Sequence, residues 1–255
     1  MTSNFNKKKV NLLPNRQFIK YFIITTSIFL FFIFAYHELS NRDRLYNIIQ
    51  NISEKFNYQF INFEINSLDR VDKSEVLKVI KKYYNLSIFL IPLNDISKSL
   101  HDFNWVKSVN LSSDFKNKIN VEIIEYVPIG LYSYNKQHFY FSKEGKIIDK
   151  FREKNNENLI IFHGKQVLKE ANYFLDSLGK IERKNMIKIK EAYYINQRRW
   201  DIKLDNDILL NLSEKNIIDS VNNYIKLIEK FNNTEIVSIK NIDLRNIEKA
   251  IISFK

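Results

Sequence analysis

Asn104-Trp105-Val106-Lys107-Ser108-Val109-Asn110-Leu111, then Ile119-Asn120-Val121-Glu122-Ile123, then Glu125-Tyr126-Val127-Pro128-Ile129: on these three runs the fold turns. Apolar and polar residues alternate in the first two, the mark of strands with one buried face. Asp114-Phe115-Lys116-Asn117 lies between them as a turn. Upstream, Phe60–Ile65 is β-rich, and Asp72 with Glu75 three residues on gives the capping signature of a helix running through Tyr84. Val76, Val79, Ile80 and Tyr83 fall on one face of it. A second helix, Asn94–Asp102, turns Ile96 and Leu100 inward. Residues 59–127 therefore read strand, helix, helix, strand, strand. Trp105 is weighed as a core anchor against a ligand platform, and the anchor is favoured because large aromatics usually fill cores. Glu125, a carboxylate with no partner motif, reads as a bridging or surface residue rather than a catalytic acid.

Residues 128–255 read as a mixed β-domain with two or more helices. His138–Phe141 and Ile147–Asp149 flank a Lys143-Glu144-Gly145-Lys146 turn, where Gly145 supplies a positive φ. Leu159–Gly164 follows, then an amphipathic helix over Lys165–Leu178 with Val167, Ala171, Phe174, Leu175 and Leu178 inward. Strands are expected at Ile187–Ile195, Arg199–Leu204 and Ile208–Leu212, a long helix over Glu214–Phe231, and final strands over Glu235–Asp243 and Glu248–Phe254.

Ahead of both domains, Phe18–Tyr36 reads FIKYFIITTSIFLFFIFAY. Nineteen residues of helix span roughly 28 Å, about a hydrocarbon core. Lys20 lies near the start, where its ammonium reaches the headgroups. Residues 1–37 hold Lys7, Lys8, Lys9, Arg16 and Lys20 and no acid, which predicts a cytoplasmic N-terminus with the bulk of the chain outside. A cleaved signal peptide would be shorter and end in small residues, whereas this run ends Phe34-Ala35-Tyr36-His37. The expected layout is a tail over 1–17, a transmembrane helix over 18–36, a connector over 37–58, and domains over 59–127 and 128–255. The connector carries Leu45, Ile48, Ile49, Ile52 and Phe56 at helical spacing.

Composition narrows the function classes. Outside residues 1–37 the chain has 35 basic and 29 acidic side chains, so its charge is spread thinly and forms no nucleic-acid stripe. Cysteine is absent, which excludes disulfides, thiolate catalysis and Cys-ligated metals. His37, His101, His138 and His163 lack ligand spacing. No Gly-rich phosphate loop, nucleophile elbow or Ser-x-x-Lys motif appears. The sequence thus supplies no positive sign of an enzyme, a cofactor, a metal or a small-molecule substrate.

The Trp105-Val106 pair, the two strands and Glu125-Tyr126-Val127-Pro128 resemble the POTRA domain of the FtsQ/DivIB cell-division family. The usual turn proline is missing between the strands, and Ser67 stands where Gly is common. The second half resembles the same family's C-terminal β-domain: Arg198-Arg199-Trp200-Asp201-Ile202-Lys203-Leu204-Asp205-Asn206 looks like its Arg-Arg-Trp strand and Asn-rich hairpin, with Asp207 where Gly is frequent. Ile242-Asp243-Leu244-Arg245 matches its Asp-Leu-Arg.

The resemblance implies an α+β, non-catalytic, single-pass protein of the bacterial inner membrane. Its periplasmic part would bind FtsB and FtsL at the septum and link division to peptidoglycan synthesis. It further implies a partner strand added to the last strand. The residues expected to meet that partner are Arg198, Arg199, Arg245, Asn246, Ile247, Ala250, Ile251 and Ile252. The arginines either clamp partner carboxylates or pair within the domain. A POTRA module of another envelope assembly or secretion complex is the alternative; such proteins usually carry several copies or a following barrel, and one copy is read here.

Overall fold

The computed structural model describes residues 16–40, 42–152, 158–182, 184 and 187–255. Most of the tail, Lys7–Lys9 included, lies outside them. Helix α1 (Arg16–Ser40) contains one stretch, Arg16–His37, long and apolar enough to cross a membrane and nowhere buried against protein. Its two threonines fold their hydroxyls back: Thr25 Oγ1 donates to the carbonyls of Tyr21 and Phe22, and Thr26 Oγ1 to those of Phe22 and Ile23, at 2.7–3.0 Å. Both hydroxyls are thereby satisfied inside the helix, as a lipid surrounding demands. Helix α2 (Arg42–Lys55) follows where the connector's periodicity placed one.

Beyond α1 and α2 the elements are β1 (Asn62–Ile65), α3 (Lys73–Lys81), α4 (Leu93–His101), β2 (Val106–Ser113) and β3 (Lys118–Glu125). They have the expected strand, helix, helix, strand, strand order. The sheet runs β1-β3-β2, with Phe63 of β1 beside Ile119 of parallel β3. Helix α3 stops three residues before Tyr84, because Asn85 takes a left-handed φ of 65° and gives its N–H to the Phe60 carbonyl. Asp72 caps it as expected, accepting the Ser74 N–H at 2.8 Å, but Glu75 turns to Lys78 instead of closing the box. The turn that lacks proline is organised by Asp114, whose Oδ1 accepts the N–H groups of Lys116, Asn117 and Lys118 at 2.8–2.9 Å. That is an Asx-type device.

The remaining elements are β4 (Pro128–Tyr134), β5 (Gln137–Ser142), β6 (Ile147–Lys150), β7 (Ile161–His163), α5 (Val167–Gly179), β8 (Ile189–Ile195), β9 (Arg199–Leu204), β10 (Leu209–Asn211), α6 (Ile217–Ile228), α7 (Asn233–Ser238), β11 (Ile239–Asp243) and β12 (Ile251–Phe254). The strands form one nine-stranded sheet, ordered β12-β11-β10-β9-β8-β7-β4-β5-β6. It is mixed: β4–β7, β7–β8 and β10–β11 pair parallel, the other neighbours antiparallel. Pro128 opens β4, a place where its missing N–H costs the ladder nothing. Gly145 has the expected positive φ of 78° in the β5–β6 turn.

One face of the sheet packs under α5 and α6. Val167, Ala171, Phe174 and Leu178 of α5 and Ile217, Val221, Tyr224 and Ile225 of α6 join Ala192, Ile202, Leu210 and Ile242 in the core. Phe174 stacks on Trp200 at 4.4 Å, and Gly130 lets β4 approach the Phe162 ring, which a Cβ would meet at 2.5 Å. Each buried aromatic or aliphatic side chain contributes about 1.5–3 kcal/mol of transfer free energy. One misread element is Glu235–Asp243, expected as a single strand. Asn232 accepts the Glu235 N–H, and Glu235 reaches back to the Asn232 N–H at 2.9 Å, a reciprocal box that starts α7 and delays the strand to Ile239.

The described residues gather into two compact units. One takes in the chain up to Ile65 with Ile80–Asp95 and Leu111–Val121; the other takes in Asn66–Val79, Ile96–Asn110 and Glu122–Lys255.

Candidate interaction surface

Strand β12 stands at the end of the nine-stranded sheet, paired on one side with antiparallel β11. Lys255 gives its N–H inward to the Ser238 carbonyl at 2.8 Å. Backbone groups alternate along a strand, so Ile252 and Phe254 point theirs to the open side. The side chains also divide: Ile252 packs partly on the core, while Ile251 and Phe254 are more than half exposed. This is an accessible strand edge with apolar residues on it, the template for another strand.

The open face of the sheet beside this edge is polar. Pairing register lines up Tyr193, Asp201, Asn211, Asp243 and Ile251 across β8 to β12. One row away run Glu191, Lys203, Leu209, Asn241 and Ser253. Between the rows lies a cavity of about 450 Å³ lined by Tyr193, Ile195, Asp201, Lys203, Leu209 and Asn241 among others. The Asn241 Oδ1 is buried there with no donor.

The expected site residues come to one end of this domain, and the structure gives each arginine an internal carboxylate. Arg245 donates through Nε to both Asp243 oxygens at 2.9 and 3.0 Å, and its own N–H reaches Asp243 Oδ1 at 3.0 Å. These bonds, chiefly the guanidinium's, hold the Asp243 carboxyl below its ordinary range despite partial burial, with Arg199 adding to the effect. Arg199 pairs with Asp201, which is buried, at 3.3 Å, and Arg198 with Glu214 at 3.2 Å at the surface. Arg199, Asp201, Asp243 and Arg245 thus form one alternating charge cluster. Asn246 caps the turn by accepting the Glu248 N–H at 2.9 Å, and the Ile247 carbonyl accepts from Asn223 at 2.9 Å. Ala250 is exposed at the start of the edge.

Sequence reading passed over the carboxylate halves of these pairs, although Arg199-x-Asp201 shares a strand face by the period of two and Asp243 ends β11 two residues before Arg245. It also passed over a group on β7 and β8: His163 and Tyr193 both bond to Glu191 Oε2, at 2.9 and 2.6 Å, and their rings stack at 4.5 Å. Burial together with the Glu191 bond pushes the Tyr193 phenol up to about 12. The Glu191-x-Tyr193 spacing is local, but nothing local marks His163, because β7 and β8 meet only in the fold.

Two family models match. The model for the C-terminal part of the cell division protein FtsQ/DivIB matches residues 131–245, and that for the FtsQ-type POTRA domain matches residues 60–126. Strand β12 lies past the first match. The cell division protein FtsQ of Rickettsia felis is 26% identical over 259 residues, covering 98% of this chain and 93% of that protein. FtsQ of Rickettsia conorii is 29% identical over 211 residues, covering 81% and 76%. FtsQ of Escherichia coli is 26% identical over 148 residues, covering 55% and 52%. The solved extracytoplasmic domain of DivIB from Geobacillus stearothermophilus aligns at a TM-score of 0.31 and 10% identity, over 43% of this chain and 99% of that one. Two matched models that follow one another in the family's order, and FtsQ relatives that cover 80% and 98% of the chain, make it a cell-division protein of the FtsQ/DivIB family.

Proposed function

We propose that the chain is a bitopic, non-catalytic scaffold of the division machinery. Its N-terminus lies in the cytoplasm, as the acid-free basic flank of α1 directs. The parts at 59–127 and 128–255 then lie in the periplasm at the septum, where they bind FtsB and FtsL and couple their placement to peptidoglycan synthesis. The observation that carries this reading is the open side of β12, which a strand of FtsB satisfies by β-augmentation. Ala250, Ile251 and Ile252 form the paired edge. Asn246 and Ile247 shape the turn leading into it. Arg198, Arg199 and Arg245 meet carboxylates of the partner, exchanging or sharing the internal partners they hold in the free protein.

The test is a titration of the full chain in nanodiscs with the external segments of FtsB and FtsL. It is repeated on Ile252→Pro and Phe254→Pro, which delete outward N–H groups and leave the β11 pairing intact. Binding by the native chain and its loss in variants that still melt cooperatively is the expected result. Binding that survives both prolines moves the site away from β12. No binding by the folded native chain ends the FtsB/FtsL reading.

A further inference from the structure

Helix α2 is inside out. A helix lying on a soluble domain turns its apolar stripe inward and its polar residues outward. In α2 the buried residue is polar: Ser53, 2% exposed, bonds through Oγ to Ser87 Oγ at 2.7 Å. Gln50 accepts the Ser87 N–H at 2.8 Å and donates to the Asn85 carbonyl at 2.9 Å. Ile48, Ile52 and, just past the helix, Phe56 follow at intervals of four and are 44%, 53% and 61% exposed. Of the five apolar positions in the connector's period, only Leu45 and Ile49 are partly covered. Phe89, in ring contact with Tyr58 at 5.7 Å, is exposed as well.

What covers this face follows from where the chain places it. Helix α2 opens at Arg42, two positions after α1 ends at Ser40. Its fourteen residues reach only about 21 Å from that point, so the tether holds the face at the bilayer at high effective concentration. The chemistry suits an interface plane: aliphatic side chains mixed with Phe and Tyr, and Lys55, whose ammonium lies 6.0 Å from the Phe56 ring centre, at the rim. A partner helix fits less well. Leu45, Ile49, Ile52 and Phe56 recur at heptad spacing, but Leu45 and Ile49 are already partly covered, and Tyr58 and Phe89 lie off the helix altogether.

We propose that the Ile48–Ile52–Phe56 stripe, with Tyr58 and Phe89, lies in the headgroup–acyl boundary of the membrane that α1 crosses. The inference rests on reading α1 as the span. It lays α2 along the membrane surface.

The chain has no cysteine, so single cysteines report cleanly. Nitroxide labels are placed at Ile52→Cys, Phe89→Cys, Glu54→Cys and Phe29→Cys in the full chain, reconstituted in vesicles of phosphatidylethanolamine and phosphatidylglycerol. Glu54 points about 160° away from Ile52 on the helix and serves as the aqueous control. Labels at Phe29, Ile52 and Phe89 are expected to be more accessible to oxygen than to a water-soluble nickel complex, with Glu54 reversed, at every protein-to-lipid ratio. If Phe29 reads as lipid while Ile52 and Phe89 read as Glu54 does, the inference is overturned and the span stands. If Ile52 is shielded from both reagents and the shielding fades on dilution in lipid, a second copy covers the face and the inference falls. An aqueous Phe29 removes the span itself, and the inference with it.

Discussion

Arg70 holds its guanidinium 5.0 Å from the ring centre of Trp105 and 5.6 Å from that of Tyr140, whose ring meets the indole at 5.1 Å. The indole Nε1 donates to Asp149 Oδ2 at 3.3 Å, and Trp105 as a whole is 9% exposed. The residue behaves as the anchor its sequence context suggests, with a cation on its face. Trp105→Ala is expected to lower the unfolding free energy by about 3–5 kcal/mol. Trp105→Phe should recover most of that, short by about 1 kcal/mol for the lost hydrogen bond. Urea unfolding followed by circular dichroism checks both. A loss under about 1 kcal/mol for the alanine variant would mean the ring holds nothing together.

Glu125 is the bridge its isolation implied. Its carboxylate accepts the backbone N–H groups of Asp69, Arg70 and Val71 at 2.8, 2.9 and 2.6 Å. Burial pushes the carboxyl up, but these three bonds outweigh it and hold the group below its ordinary 4.5. A depressed carboxyl contributes in full above the ordinary value, where both states are ionised; as pH falls from there through the folded pKa the unfolded state takes its proton first, and the contribution is lost. Stability of the native chain should therefore drop as pH falls below 4.5. In Glu125→Gln, the acid limb should be shallower and the neutral-pH stability lower by about 1–3 kcal/mol, since the amide accepts fewer of the three bonds. Identical acid limbs in the two proteins would remove Glu125 from the account.

How far the sequence carried the reading depends on the range of the interaction. The core of α5 was legible from Val167, Ala171, Phe174 and Leu178 because a helix period is local, and all four are buried. Residues Glu235–Ser238 misled because their β-like composition was read without the Asn232–Glu235 box that starts a helix there. In α2 the period was visible in Leu45, Ile48, Ile49, Ile52 and Phe56, but which residues would turn inward was not. That was decided by Ser87 and Asn85, more than thirty positions away: the Ser87 hydroxyl bonds to that of Ser53, and the Asn85 carbonyl accepts from Gln50. The same limit hid the Glu191 group, since parallel neighbours such as β7 and β8 carry no mark of their pairing in sequence.

That group gives an alkaline prediction. Burial first, and the bond to Glu191 with its charge, raise the Tyr193 phenol from 10.0 to about 12. The unfolded chain then loses this proton before the folded one does, so stability should fall as pH rises from 10 towards 12. Tyr193→Phe cannot ionise and should flatten that limb in chemical denaturation. It also breaks the 2.6 Å bond to Glu191, costing about 1–3 kcal/mol at neutral pH. An alkaline limb as steep in the variant as in the native chain would place the titrating group elsewhere.

Arg245 separates the two roles left open for the arginines. Its side chain is 56% exposed while the Asp243 it grips is 17% exposed, so the guanidinium has a free outer side next to β12. A surface pair of this kind adds little to stability, because water screens it. Arg245→Glu sets a carboxylate against Asp243 and against an acidic partner, and should weaken binding of the FtsB external segment tenfold or more, about 1.4 kcal/mol. The thermal midpoint should move little. Arg245→Lys keeps the charge and gives up the two-point grip, so its affinity should fall between the two. Matched losses of stability and binding across this series would show that the residue serves the turn between β11 and β12 alone, and the clamp would have to be sought at Arg198 or Arg199.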